Sequence, residues 1–309
     1  MSATHTLGAL ALALLVGSAV LACKGPATKV PVNHAKAEPY VPLPDPEPDP
    51  LGYFLTRFDA SLQQWSELKL VAGNLREQST LQALEQSMRD RAQERRDELV
   101  ATLETGAPLN RRIAAAALGF TKDQTVLGPL LAALDEPDPE LVQKALLGIG
   151  VLALPETPPE ALRRPLLDAP NEWTRNNAAF ALLAVVSAGA SSPELARICR
   201  SGLIDPAPGV RAQCASALGV LADAEAVPAL SGLLQDEANL VALAASVSLA
   251  RIGQEHPEQK GTAARALAAA LEPARAERRA QILGALRWLA RTDYGENARP
   301  WLEWAHKMP

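Results

Sequence analysis

One ten-residue pattern recurs six times between residues 110 and 287 of this chain. In every copy the eighth position is Ala, Gly or Ser, and the ninth is Leu or Ile. Successive copies lie 31 to 37 residues apart, a period typical of proteins that stack one small structural unit. The six copies are NRRIAAAALG (110–119), LVQKALLGIG (141–150), TRNNAAFALL (174–183), VRAQCASALG (210–219), VALAASVSLA (241–250) and RRAQILGALR (278–287).

A second, more variable apolar segment lies between successive copies. Pro129, Pro193 and Pro228 fall near the predicted helix starts, where a missing N–H costs little. We therefore predict two antiparallel helices per repeat, which bury their apolar stripes only by stacking on neighbouring repeats. Small residues at the eighth position let neighbouring helices approach closely. The clearest variable segments are 125–136, 192–205, 224–236 and 261–272.

The stretch 205–236, DPAPGVRAQCASALGVLADAEAVPALSGLLQD, resembles a HEAT repeat of the short kind also found in phycobilin lyases. The resemblance extends over about residues 109–293. It implies an all-α fold, a right-handed α-solenoid of about six helical-hairpin repeats. A composition of 48% hydrophobic but only 4% aromatic residues suits such closely packed helices.

The same resemblance implies ion pairs in the turns, since a turn aspartate in this family pairs with an arginine six residues later. Asp205 and Arg211 match that spacing, and Asp168 and Arg175 match it with one extra residue. The arginine position holds Val in one repeat and Ala in another, so a ladder of such pairs is broken there. The two departures are Val142 and Ala242.

The segments that flank the repeats are predicted to cap the array, because repeat arrays need polar ends. Residues 51–108 form the predicted N-terminal cap, with amphipathic helices over Tyr53–Val71 and Thr80–Leu103. Residues 294–309 form the predicted C-terminal cap.

The chain begins with a signal-like segment. Residues 7–22 are apolar and uncharged, a length short for a membrane span and right for a secretory signal. The run ends in Val20-Leu21-Ala22-Cys23, which resembles the lipobox of bacterial lipoproteins. This implies that residues 1–22 are removed and that Cys23 carries lipid such as palmitate. A plain secretory signal or an uncleaved anchor remains open, because MSATH at the start lacks Lys and Arg.

Residues 23–50 are predicted to comprise the lipidated Cys23 and a disordered proline-rich tether with eight prolines. Such a segment favours extended polyproline II and spans on the order of 80 Å. A proline-rich ligand for an aromatic groove is the alternative. In enterobacterial lipoproteins, an Asp directly after the lipidated cysteine favours retention in the inner membrane. This chain has Lys24 at that position, which points to the outer membrane.

No catalytic constellation is identified in the sequence. The four histidines lack the i,i+4 partner or nearby cysteine that a metal site needs, and no GxSxG, P-loop, GxGxxG or HExxH motif occurs. We therefore predict no catalytic residues, no metal and no cofactor. A formal net charge of −5 argues against nucleic acid as a partner.

Three sets of residues are candidates for special roles, each with two readings. Cys199 and Cys214 lie on either side of a turn, so they form either a disulfide in an oxidising compartment or two small buried side chains. The arginines at one helical position form either a basic strip for an acidic partner or a structural ladder. The tryptophans near the carboxyl end either bind a partner or cap the last repeat, whereas Trp173 is expected to pack within a turn. The arginines are Arg111, Arg175, Arg211 and Arg279, and the tryptophans are Trp288, Trp301 and Trp304, of which Trp301 and Trp304 are the candidates for partner binding.

The sequence thus favours a non-catalytic, lipid-anchored scaffold or adaptor in the bacterial cell envelope. It is expected at the outer membrane, attached through Cys23, facing the periplasm or the exterior and binding an envelope protein or peptide. One alternative is a structural protein associated with peptidoglycan or an outer-membrane complex. Another is a lyase-type enzyme, which the repeat type allows.

Overall fold

The computed structural model describes residues 50–71 and 73–308. The predicted signal segment, Cys23 and all but the last residue of the predicted tether lie outside the described residues. Fifteen α-helices and three short 3₁₀ turns make up the described part, in which no β-strand occurs. The helices are α1 (Leu51–Val71), α2 (Leu75–Glu94), α3 (Arg96–Thr105), α4 (Pro108–Phe120), α5 (Leu127–Ala132), α6 (Pro139–Leu152), α7 (Pro159–Leu167), α8 (Glu172–Ser187), α9 (Pro193–Gly202), α10 (Pro208–Leu221), α11 (Val227–Leu233), α12 (Asn239–Glu255), α13 (Pro257–Leu271), α14 (Ala276–Ala290) and α15 (Ala298–His306).

The helices from α3 to α14 form six consecutive antiparallel pairs. The second members, which carry the ten-residue pattern, pack side by side in the order α4, α6, α8, α10, α12 and α14. We call them the second-helix row, and the first members, α3 to α13, the first-helix row. The predicted all-α solenoid of six helical hairpins is confirmed.

Small residues set the spacing within the second-helix row. A Cβ on Gly119 of α4 would lie only 2.7 Å from the Cα of Gly148 on α6. The same contact recurs three pairs later, where Gly219 faces Ser248, whose Oγ donates to the main-chain oxygen of Ala215 at 2.8 Å. Interiors this dense accept little added volume. The recurrent small residues are therefore required where two helix backbones approach each other.

The recurrent large aliphatic residues fill the core behind these contacts. All six ninth-position side chains are completely buried, among them Leu118 and Leu218. Pro193 is the first residue of α9, Pro228 the second of α11 and Pro129 the third of α5, as the sequence predicted. Pro165, in contrast, lies inside α7, where it removes one main-chain hydrogen bond.

The N-terminal segment differs from its prediction in one respect. The single helix expected over Thr80–Leu103 is two helices, because α2 ends at Glu94 and α3 begins at Arg96. The break lets α3 pack on α4 as the first member of the first pair. Helices α1 and α2 also pack on α4. The rings of Trp65 and Phe120 form a T-shaped contact, with 5.5 Å between their centroids. The hairpin of α1 and α2 thus covers α4.

The C-terminal segment folds back on the last pair. Helix α15 packs against α13. Trp301 is completely buried there, and its indole Nε1 donates to the main-chain oxygen of Gly295 at 2.8 Å. The Trp301 ring also packs against those of Tyr294 and Trp304, at 5.1 and 5.9 Å. These contacts hold α15 on the array.

Among the described helices, none combines the length and the apolar character that crossing a bilayer demands.

Candidate partner-binding surface

Each of the four predicted arginines is the fourth residue of a second helix, and two of them form two-pronged ion pairs. Arg175 donates through Nε and Nη2 to the carboxylate of Asp205, at 2.7 and 3.2 Å. Arg211 donates in the same way to Asp236, at 2.8 Å for both contacts. The side chains of Arg211 and Asp236 are only 16% and 8% exposed. Each carboxylate therefore comes from the repeat that follows its arginine.

This pairing differs from the one that the HEAT resemblance implied. Arg211 does approach Asp205, six residues earlier, but through the main-chain oxygen, to which Nη1 donates at 2.7 Å. The expected side-chain pair within one turn is therefore wrong, because the side chain of Asp205 is held by Arg175 of the preceding repeat. The side-chain ion pairs of the ladder therefore join neighbouring repeats, and the main-chain contacts of the same arginines brace their own turns.

Electrostatics match this geometry. Burial acts to raise the pKa of Asp236, but the hydrogen bonds from Arg211 and from the main-chain N–H of Ala238, with the charges of Arg211 and Arg278, outweigh it. The pKa of Asp236 therefore lies below its usual value. The hydrogen bond to Asp236 also raises the pKa of Arg211, against the effect of its own burial. Both groups are ionised at neutral pH.

The other two predicted arginines are also engaged within the protein. Arg111 donates to Glu136 at 2.7 Å and to the main-chain oxygen of Leu103. Arg279 donates to two main-chain oxygens, those of Leu271 and Glu296. The four arginines thus bind acceptors of this chain, as in the ladder reading, and none is presented as part of a bare basic strip.

A groove opens where Val142 replaces a ladder arginine. It has a volume of about 510 Å³ and lies between the turn that precedes α6 and the turn that precedes α8. Leu134, Val142 and Pro165 form part of its apolar wall, and Glu136 and Asp168 are at its polar edge. We call it the Val142 groove.

A stripe of apolar side chains is exposed on α12 and α14. Leu240, Leu243 and Val247 recur at helical spacing on α12 and are 49%, 39% and 54% exposed, and Trp288 on α14 is 53% exposed. Gln254 donates to the main-chain oxygens of Trp288 and Leu289, which ties the ends of the two helices together. We call Leu240, Leu243, Val247 and Trp288 the open-face stripe.

Sequence reasoning missed this stripe. Leu243 and Val247 occupy the third and seventh positions of the ten-residue pattern, where the five other copies do not combine two large aliphatic residues. A comparison of the copies by position would have singled them out.

Trp173 was also misjudged: it lies in the first turn of α8 and is 63% exposed, so the expectation that it packs within a turn is wrong.

Cys199 and Cys214 are brought together across the turn between α9 and α10. Both are buried and free in the structure. A hydrogen bond with Cys199 and burial together raise the pKa of the Cys214 thiol well above its usual range. The Cys214 thiol is therefore poorly nucleophilic in the folded protein. Of the two tryptophans predicted to bind a partner, Trp301 is buried within the C-terminal contacts, while Trp304 is partly exposed.

Within the described residues, no three His, Cys, Asp or Glu side chains are grouped so that they could hold a metal ion.

A family model for HEAT repeats matches residues 96–183 and 193–287. No curated protein sequence matches the chain. An engineered protein of known structure is 19% identical, with a TM-score of 0.47, over 64% of this chain and 97% of its own. Human deoxyhypusine hydroxylase in complex with glycerol is 22% identical, with a TM-score of 0.38, over 78% and 98%. The complex of CpcE and CpcF of phycocyanin lyase from Nostoc sp. PCC7120 is 19% identical, with a TM-score of 0.39, over 88% and 100%.

Proposed function

Because the chain belongs to the HEAT-repeat family, we propose that it is a non-catalytic, protein-binding scaffold of the bacterial cell envelope. The observation that carries the proposal is the open-face stripe on α12 and α14. Exposed apolar side chains are unremarkable when scattered singly, but a group on adjacent helices marks a binding surface. The chain's role would then be to present this surface to an envelope protein or peptide.

The make-up of the surface supports a protein as the partner. Large side chains such as Trp288 contribute most of the binding energy of many interfaces when a partner covers them. Arg251 lies on α12 and Arg291 at the carboxyl end of α14. Both are exposed and provide a polar rim. An apolar centre with a polar rim is the usual anatomy of a protein interface.

The turn charges support a scaffold rather than an enzyme. Arg175 with Asp205 and Arg211 with Asp236 are committed to joining neighbouring repeats. Catalytic acids and bases need a pKa near the working pH, whereas the hydrogen bonds of these pairs raise the pKa of Arg175 and Arg211 and contribute to a lowered pKa of Asp236. We assign no catalytic role to them.

The envelope location is proposed from the sequence alone. The apolar run that ends at Cys23 supports lipid attachment, and the prolines that follow support a spacer between membrane and repeats. A Cys23→Ala variant should appear in the soluble fraction or as an uncleaved precursor. Processed protein that remains on the membrane in this variant would contradict lipid attachment.

Affinity capture from the native host, after light crosslinking, tests the scaffold proposal. The variant Leu243→Glu/Val247→Glu should lose a specific envelope protein that the wild type recovers in near-equal amount. The matched control is Thr262→Glu/Ala269→Glu, which adds the same charge at exposed sites with seven-residue spacing on α13. Equal capture by both double variants, with unchanged circular dichroism, would contradict binding through the stripe.

A further inference from the structure

We call each arginine position of the ladder a rung; the two complete rungs, at Arg175 and Arg211, share one set of acceptors. The Nη1 atom of Arg211 donates to the main-chain oxygens five and six residues earlier, those of Pro206 and Asp205, at 3.0 and 2.7 Å. Arg175 does the same with Pro170 and Ala169, at 3.2 and 3.0 Å. The other guanidinium nitrogens reach a carboxylate of the following turn. Each rung is thus a ready-made guanidinium site that the chain fills with its own arginine.

The rung at Val142 retains these acceptors but has no guanidinium. The main-chain oxygens five and six residues before Val142 belong to Pro137 and Glu136, and no donor in residues 50–71 and 73–308 is hydrogen-bonded to either. Asp168 supplies a carboxylate in the following turn, one residue earlier than in the complete rungs, and its side chain forms no ion pair within the described part of the chain. These groups all line the Val142 groove.

The second interruption of the ladder differs, because an arginine of the protein reaches one of its two main-chain oxygens. The main-chain oxygen six residues before Ala242 belongs to Asp236, and Arg278 of α14 donates to this oxygen at 2.7 Å. Arg278 also donates to the side-chain oxygen of Asn239 at 2.9 Å. Of the two interruptions among the described repeats, the one at Val142 is therefore the one that no side chain of the described residues fills.

The charge and shape of the groove indicate what fits it. Its lining includes four carboxylates and one cation, Arg164. Arg111 already pairs with the carboxylate of Glu136, but three carboxylates against one cation still favour a positive group. Val142, Leu134 and Pro165 offer an apolar wall against which the methylene stem of a long cationic side chain can pack.

We propose that the Val142 groove binds an arginine side chain of a protein partner, whose guanidinium takes the place of the missing ladder arginine. This assignment rests on the proposed scaffold function and specifies the chemistry of its partner. The guanidinium donates to the main-chain oxygens of Glu136 and Pro137 and to the carboxylate of Asp168. Arginine is preferred over lysine because its planar fork serves several acceptors at once. Trp173, exposed between lining residues Asn171 and Thr174, offers the partner an adjacent aromatic contact.

The test uses N-acetyl-L-arginine amide as the probe and N-acetyl-L-citrulline amide, its neutral isostere, as the control. Each is titrated into the full-length protein in detergent micelles, and binding is followed by methyl NMR of Val142. The arginine compound should shift the Val142 methyl signals and bind about tenfold more tightly than the citrulline compound, because charge-assisted hydrogen bonds are lost in the latter. Equal binding of the two compounds would overturn the proposal.

Two variants identify the acceptors. Val142→Arg fills the rung from within, so it should abolish the probe-induced shifts of other groove methyls, such as those of Leu134, and raise the melting temperature. Asp168→Asn keeps the shape and should weaken probe binding about tenfold. If Val142→Arg does not fold, Asp168→Asn alone decides, and undiminished binding in that variant overturns the assignment.

The probe experiment needs no partner protein, so its failure is separate from failure of the scaffold proposal. A protein that captures its partner through the open-face stripe but ignores the arginine probe retains the scaffold function and loses only this assignment. A protein that binds the probe at the groove but captures no partner through the stripe loses the scaffold proposal, and the groove remains a guanidinium site.

Discussion

Arg211 and Asp236 form a two-pronged ion pair that joins one repeat to the next, although 25 residues separate them in the chain. Asp236 also accepts a hydrogen bond from the main-chain N–H of Ala238 at 2.9 Å, just before α12. One carboxylate thus fixes the turn before a helix and the position of the neighbouring repeat. The same arrangement links Arg175, Asp205 and Ala207.

Removing one member of this pair should destabilise the array. Arg211→Gln leaves Asp236 largely buried without its charged partner, so we expect the free energy of unfolding to fall by about 2–4 kcal/mol. Urea denaturation followed by circular dichroism measures the change. The matched control is Arg197→Gln, since Arg197 is 65% exposed and pairs with Glu194 on the same helix, and exposed pairs contribute at most about 1 kcal/mol. Equal losses in both variants would contradict the ladder's structural role.

The turn carboxylates should make stability fall in acid. The hydrogen bond from Arg96, helped by those from Thr125, lowers the pKa of Asp123 from 3.8 to about 2, and Asp236 is shifted in the same direction. The unfolded chain therefore binds protons at a higher pH than the folded one. The stabilising contribution is complete above pH 4 and is lost as the pH falls from about 4 to about 2.

Urea midpoints of the wild type and Asp123→Asn, measured from pH 5 to pH 2, test this pH dependence. The difference between them should be constant above pH 4 and shrink below it. A difference that stays the same down to pH 2 would show that Asp123 is not held in its charged form by Arg96.

Two glycine-to-alanine substitutions in second helices should change the free energy of unfolding in opposite directions. Gly119→Ala places a Cβ against the backbone of Gly148, and such overpacking costs about 1–3 kcal/mol. Gly284→Ala on α14 meets nothing within 4 Å, and alanine's helix preference should stabilise it by about 0.5–1 kcal/mol. Thermal or urea unfolding of the two variants is the measurement. Stabilisation by Gly119→Ala would contradict the close approach of α4 and α6.

The buried thiols should resist modification. Cys199 and Cys214 are both buried, and the pKa of Cys214 is raised by its hydrogen bond with Cys199 and by burial. Both cysteines should therefore react with a thiol reagent at pH 8 only when the array opens. Mass spectrometry of the peptides that contain Cys199 and Cys214 should show little labelling in native protein and complete labelling in urea. Absence of labelling in urea without reductant would instead indicate the disulfide alternative.

Local patterns were enough to predict the repeats, because Leu118, Leu218 and their equivalents recur with small residues beside them and such a pattern permits only stacked helices. The break between α2 and α3 was not predictable, since RDRAQERRDE contains only residues that tolerate a helix, and the division depends on the packing of α3 on α4. Sequence spacing also gave the wrong partner for Arg211, because the turn places its guanidinium nearer to the next repeat.

The two ladder interruptions look alike in sequence and differ in structure. Val142 and Ala242 both replace an arginine, yet Arg278 fills only the second gap. That difference depends on the reach of a side chain 36 residues further along. The open-face stripe, by contrast, could have been found by comparing the third and seventh positions of the six copies.

Site-specific photocrosslinking in the native host tests the central claim most directly, namely that the chain binds a protein through the open-face stripe. A photoreactive phenylalanine analogue is placed at Val247 in one variant and at Ala269, exposed on α13, in another. We expect a discrete crosslink to one envelope protein from position 247 and none from position 269. The same adducts from both positions, or none from position 247 in a folded, correctly exported protein, would contradict the account.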